Sequence, residues 1–331
     1  MAWLVEKIGR AGLWLSLKGG MFAVSTFPRS SLIYGADALA KLGFYLFHKF
    51  RQRSIKNLTI ALGNRLDQRE IAAIVQRSLR NFSRDIVEMG LALELTPDEI
   101  RAEILLLGRE HLEAAMAKGK GVIILSGHLG NFFLLGTRLA VDGYPTYVLV
   151  NPPQDATFRE LLDRYRLKLG QRTIHARPRR QASREMMRVL RSNGIVIAIA
   201  DEYRPGNGVH VPFFGRTVVA RRGPATLALR TGAAIVPAYL IRDPGGRLNL
   251  IIESEMDLLR SGDIKKDVTE NTLRITQWVE RVVSSYPDQW NWMNIHWKES
   301  APKPLSEKKE TKESMNICSE GTRGENQQDR T

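Results

Sequence analysis

The first fifty residues mix apolar runs with scattered basic residues, "MAWLVEKIGRAGLWLSLKGGMFAVSTFPRSSLIYGADALAKLGFYLFHKF". Residues 11–27 are mostly apolar but are broken by Lys18, Gly19 and Gly20, short of the roughly 20 uninterrupted apolar residues of a spanning helix. Trp3, Trp14 and Phe22, set among Lys7, Arg10 and Lys18, fit a helix lying in a membrane interface; a buried helical hairpin would carry the same pattern. No small-residue cleavage site follows cleanly, so a removed signal peptide is not expected. Across residues 51–95 the run "IAAIVQRSLRNFSRDIVEMGLAL" spaces its apolar positions by three and four, which predicts helix.

From residue 121 the rhythm changes to short apolar runs separated by helical stretches. Strands are predicted at "GVIILS" (121–126), "TYVLV" (146–150), "IVIAIA" (195–200), "AIVPAYLI" (234–241) and "LNLIIES" (248–254). Runs this apolar belong to a sheet covered on both faces, so the prediction is an α/β fold with a mixed, mostly parallel central sheet flanked by helices. Three regions follow: membrane-associating helices over 1–50, the α/β domain over 51–298, and a polar, disordered tail over 299–331 with almost no large apolar residues.

Charge alters this picture. Lys and Arg total 49 against 35 Asp and Glu, a net +14, so the surface suits polyanions: anionic lipid, phosphorylated substrates, an acidic protein or nucleic acid. The basic patch has no helix-turn-helix, zinc finger or stacking aromatics beside it, so nucleic acid is not expected. A lone cysteine, Cys318, leaves no internal disulfide and fits a reducing compartment. The six histidines lack metal-ligand spacing, so no metal or other cofactor is expected.

One strand end carries chemistry. "LSGHLGNFF" (125–133) puts His128 just past a strand, at the carboxyl edge where open α/β folds build sites. Gly127 and Gly130 permit tight backbone geometry and close approach of a substrate. Asn131 is a candidate N-cap for the helix "FFLLGTRLAV", whose first turn would offer N–H groups to a developing oxyanion. A purely structural histidine stays open at this point.

The segment "GREHLEAAMAKGKGVIILSGHLGNFFLLG" resembles the signature of the late acyltransferases of bacterial lipid A biosynthesis, relatives of the glycerol-3-phosphate and lysophospholipid acyltransferases. "RSIKNLTIALGNRLDQREIAAIVQRSLRNF", "VLRSNGIVIAIADEYRPGNGVHVPFFGRTVVARRGPATLALRTGAAIVPAYLIR" and "YPDQWNWMNIHWK" extend the resemblance over roughly residues 1–298. It implies a glycerol-3-phosphate acyltransferase-like fold. It also implies transfer of a fatty acyl group from acyl carrier protein to a hydroxyl of a membrane glycolipid, such as a lipid A precursor, at the cytoplasmic face of the inner membrane. His128 takes the place of the general base, with Gly130 and Asn131 in the same motif, and Arg159 and Arg164 match arginines placed on substrate phosphates or the acyl donor.

Two positions depart from the family pattern. The motif is a histidine followed after four residues by Asp or Glu, and that acid position here is Phe133. Asp201 and Glu202, at the end of another predicted strand, match a stretch with a structural or substrate-positioning role; either could instead reach His128 and replace the acid. Near residue 294, Asn294 and Ile295 replace a histidine and an arginine. Residues 159–191 carry eleven Lys or Arg against Glu160, Asp163 and Glu185, and Arg177, Arg179 and Arg180 are expected on an exposed loop facing anionic headgroups or an acidic carrier. The competing reading is a non-catalytic homologue that binds anionic lipid.

Overall fold

The computed structural model describes residues 18–153, 155–203, 206, 208–293, 295 and 297. Trp3, Lys7, Arg10, Trp14 and the 299–331 tail therefore lie outside the described residues. Residues 18–26 are helical (α1), with Lys18 and Phe22 exposed. Then come α2 (Arg29–Leu46), α3 (His48–Leu62), α4 (Gln68–Leu91) and α5 (Pro97–Glu103). Among the described residues no helix is long and apolar enough to cross a membrane.

Helix α4 starts at a capping box in which Asp67 accepts from the Glu70 N–H and Glu70 accepts from the Asp67 N–H; both orphan donors are satisfied. Its buried face runs Ile71, Ile74, Val75, Ser78, Asn81, Asp85, Glu88 at helical spacing. That stripe turns from apolar to polar midway, and the polar half faces the site.

The remaining elements are β1 (Ile104–Leu107), α6 (Arg109–Met116), β2 (Val122–Ser126), α7 (Phe132–Val141), β3 (Thr146–Val150), α8 (Ala156–Lys168), β4 (Arg172–His175), α9 (Arg179–Arg191), β5 (Ile195–Ile199), β6 (Val209–Phe213), β7 (Arg216–Ala220), α10 (Gly223–Thr231), β8 (Ala234–Arg242), β9 (Leu248–Ile252) and α11 (Ile264–Ser285). Seven strands form one sheet in the order β1-β9-β8-β2-β5-β3-β4. β8, β2, β5, β3 and β4 are parallel, while β9 pairs antiparallel to β8 and carries β1 parallel to itself. The sheet is mixed and mostly parallel, as the apolar runs predict. β6 and β7 form a separate antiparallel hairpin.

Side chains alternate across the sheet. Ile123, Leu125, Val196 and Ile235 pack toward α9, α10 and α11, whereas Val122, Ile124, Ile197 and Val236 pack toward α6 and α7. Both faces are covered, which is why each central strand reads as continuous apolar residues. The five predicted strands are present within one or two residues at their ends. Four more were not expected: β1 and β4 at the sheet edges, β6 and β7 in the hairpin. Residues 105–112, "LLLGREHL", hold part of β1 and the start of α6, and "VPFFG" (211–215) is the end of β6 and its turn. β4, β6 and β7 are half-exposed, so polar residues break their apolar runs, while β1 is apolar throughout but only four residues long.

Candidate active site

The site is set by strand register. In the parallel β2–β5 pair, Ser126 lies opposite Ile199, and the Ala200 N–H donates to the Ser126 carbonyl at 2.8 Å. His128 and Asp201 are each two residues beyond these partners, so they leave the sheet side by side at its carboxyl edge. Asp201 Oδ1 is 2.8 Å from His128 Nδ1, and the His128 backbone N–H donates to Asp201 Oδ2 at 2.7 Å. The Trp290 indole N–H also donates to Oδ2, at 2.7 Å. Asp201's side chain is 1% exposed and His128's 27%. One carboxylate is thus sealed beneath a reachable imidazole.

Burial is the largest influence on Asp201 and disfavours its charge. The charge of His128, its ring and backbone N–H groups, and the Trp290 N–H outweigh it and hold the carboxyl below the usual range. A carboxylate only accepts, so Nδ1 carries the proton and Nε2 is the basic nitrogen.

The glycines bear out the geometric need. A β-carbon on Gly127 would sit 3.1 Å from Asp201 Oδ2. Gly130 has φ 54°, and a β-carbon there would lie 2.0 Å from the Leu240 carbonyl oxygen. Gly130→Ala is therefore expected to destabilise the fold by about 3 kcal/mol, seen as a lower urea midpoint; an unchanged midpoint would show that the turn can relax.

Several expectations are corrected here. Asn131 precedes α7 but makes no capping bond; it is fully buried, and its Nδ2 donates to Glu88 Oε2 at 3.0 Å. It ties the turn to α4. Three N–H groups at the entry to α7 are already used: Gly130 donates to the Gln289 carbonyl at 2.8 Å, Asn131 to Leu240 at 2.9 Å and Phe132 to Gly130 at 2.9 Å. They are not oxyanion donors in this arrangement. Asp201 faces His128 and Trp290. Glu202 is half-buried beside it.

Arg159 lies in the first turn of α8, at the carboxyl edge of the sheet, with Nη1 3.4 Å from the Pro153 carbonyl. Arg164 is exposed farther along the same helix. Arg179 and Arg180 open α9, and only Arg177 lies in the loop before it. Ile295, 2% exposed, packs in the core, so its position contributes no charge to a ligand; Asn294 lies outside the described residues.

Beside the turn is a buried polar network that the sequence did not reveal. Arg242, at the end of β8, grips Glu88 at 2.6 and 2.7 Å and Asp85 at 2.8 Å. Gln289 clamps the Arg242 backbone both ways, accepting its N–H at 2.8 Å and donating to its carbonyl at 2.7 Å. A circuit therefore runs from Asn131 through Glu88, Arg242 and Gln289 back to Gly130. Burial first, and then Glu88's like charge, push the Asp85 carboxyl up to about 7 against the pull of Arg242. The available signal was the polar stripe Ser78, Asn81, Asp85, Glu88 at core spacing on α4.

The sequence profile of the bacterial lipid A biosynthesis acyltransferase family matches residues 1–299. The chain belongs to that family. A phosphatidylinositol mannoside acyltransferase of Mycobacterium tuberculosis H37Rv is 28% identical over 192 residues, 57% of this chain and 58% of the relative. The chain thus spans under two thirds of that relative's length. Over more of both chains, a lipid A biosynthesis acyltransferase of Haemophilus influenzae is 21% identical (88% of this chain, 89% of the relative). A lipid A biosynthesis lauroyltransferase of Escherichia coli K12 is likewise 21% identical (86% and 90%).

Proposed function

We propose that this family member transfers a fatty acyl group from an acyl carrier protein thioester to a hydroxyl of a membrane glycolipid. It acts at the cytoplasmic face of the inner membrane. The observation that carries the reading is the sealed Asp201 carboxylate on His128 Nδ1, which supplies from another strand the acid missing at Phe133. His128 Nε2 takes the acceptor's hydroxyl proton as the oxygen attacks the thioester carbonyl carbon. The C–S bond then breaks, and the imidazolium returns the proton to the leaving sulfur. Asp201 keeps the tautomer and stabilises the transient imidazolium. The reaction needs no cofactor, because the thioester brings the activated carbonyl.

Relatives named for both lipid A and phosphatidylinositol mannosides support a glycolipid acceptor as the common denominator. The net charge of +14 suits both an acidic carrier protein and anionic headgroups; Arg159 and Arg164 are the proposed contacts to phosphates. The non-catalytic reading rested on Phe133, and a complete His–Asp pair favours the active one.

The test uses purified full-length protein, radiolabelled lauroyl-acyl carrier protein, and either a lipid A precursor or phosphatidylinositol mannosides in mixed micelles. Label should enter one acceptor with the wild type and neither with His128→Ala. Binding of anionic vesicles without transfer to either acceptor would return the chain to a binding role.

A further inference from the structure

Helix α4 is locally inside out. It buries Ser78, Asn81, Asp85 and Glu88, yet exposes Phe82 by 37% and Ile86 by 42% one turn apart on another face. A helix that hides carboxylates and shows phenylalanine to water has an apolar face calling for a cover. An unbroken aromatic path leads from that face to the reacting histidine. Phe82 lies 6.4 Å from Phe133 between ring centroids, Phe133 lies 4.1 Å from Phe132, and Phe132 meets the His128 ring at 5.0 Å and 76°, edge to face. Phe132 and Phe133 are themselves half-buried, on the border between core and surface. The Phe133 backbone is pinned, its carbonyl accepting from Gln171 Nε2 at 2.9 Å.

We infer that Phe133 is a specificity-determining residue whose ring, with Phe82 and Ile86, carries a substrate's hydrocarbon chain to His128. The inference rests on the acyl-transfer reading and adds to it. The position that holds a proton-relay acid in the family pattern has changed trade: the acid is supplied by Asp201, so position 133 is released to bind lipid. A straight chain laid over Phe82, Phe133 and Phe132 buries methylenes against three rings and brings its polar end to the imidazole edge. The source of the chain, donor thioester or acceptor lipid, is left to the experiment.

Binding without turnover separates this inference from the reaction itself. The probes are non-transferable thioethers, S-octyl- and S-dodecyl-pantetheine, for the donor, and octyl and dodecyl glucoside, below their micelle concentrations, for the acceptor. Titrations use wild type, Phe133→Ala, Phe133→Leu and Phe82→Ala, with urea unfolding as a check on the fold. In one probe pair, Phe82→Ala should weaken the dodecyl probe about tenfold and the octyl probe much less, because its ring lies farthest from His128 and covers the far methylenes, whereas Phe133→Ala should weaken both probes. Phe133→Leu should restore most of that variant's loss. The pair that responds names the source.

Equal weakening of both chain lengths by Phe82→Ala, or no weakening by Phe133→Ala in either pair, overturns the inference. So does a Phe133→Glu variant that transfers faster than wild type with its chain-length preference intact, since the position would then be a vacated acid site. Chain-length-dependent binding with no transfer would leave the lipid path standing and refute the acyl-transfer reading alone.

Discussion

Asp201→Asn lowers kcat by about 10⁴-fold while leaving the protein folded, measured by labelled acyl transfer beside urea unfolding. The magnitude is that of losing the orienting acid in a histidine-centred hydrolytic triad; the cause here is specific. Two N–H donors, from Trp290 and the His128 backbone, converge on Oδ2, while Oδ1 faces Nδ1. An asparagine has one oxygen, and the two donors claim it. Its NH₂ is then left against Nδ1, which must accept, so the ring proton moves to Nε2 and the base is gone. His128→Ala should cost at least as much, and the double variant no more than the worse single one, because the pair acts as a unit. Additive losses, or an Asp201→Asn variant within tenfold of wild type, would show that the dyad is structural. Glu202→Gln should keep most activity, since it is Asp201 that meets the ring.

Arg242→Met is expected to be the most destabilising single change, by about 3–5 kcal/mol near neutral pH, because it strands two buried carboxylates. Arg242, Asp85 and Glu88 side chains are only 8%, 5% and 5% exposed, so water cannot replace the guanidinium. The pH dependence follows from Asp85, raised from an ordinary 3.8 to about 7. A raised acid binds its proton more tightly folded than unfolded, so its contribution is fully present below 3.8 and is lost as pH rises through 7. Wild-type stability should therefore decline from pH 5 to pH 8 on account of this group, and Asp85→Asn should flatten the decline. In Arg242→Met both carboxyls lose their cation, so the loss deepens toward pH 8 and eases toward pH 5. Urea unfolding at three pH values decides it. A small, pH-independent loss would mean that the carboxylates find other partners. Because the network closes on Gly130 and Asn131, kcat should fall in the surviving folded protein as well.

His128 stands out in the sequence because its context is local. An apolar strand, a glycine pair and an apolar helix are all within reading distance. Phe133 was equally visible as a departure, and it made the site look broken. Trp290 and Gln289 lay unmarked in an aromatic-rich stretch, and Arg242 at the end of an apolar strand, because nothing adjacent in sequence shows what they touch. Asn131 was read as a helix cap from its neighbours alone. Its side chain was in fact claimed by Glu88, 43 residues earlier in the chain.

The order of apolar runs determined the layered α/β fold, since continuous apolar strands require a sheet covered on both faces. The same order, with the glycines, determined that a histidine would stand at the sheet's carboxyl edge. The choice of acid was made by tertiary structure. Asp201 is 73 residues from His128 and Trp290 a further 89 beyond it. Only the register of β2 against β5, and the return of the chain after α11, bring the three within hydrogen-bond reach. Periodicity encodes which face a residue occupies; it does not encode which residues from distant strands end up opposite one another.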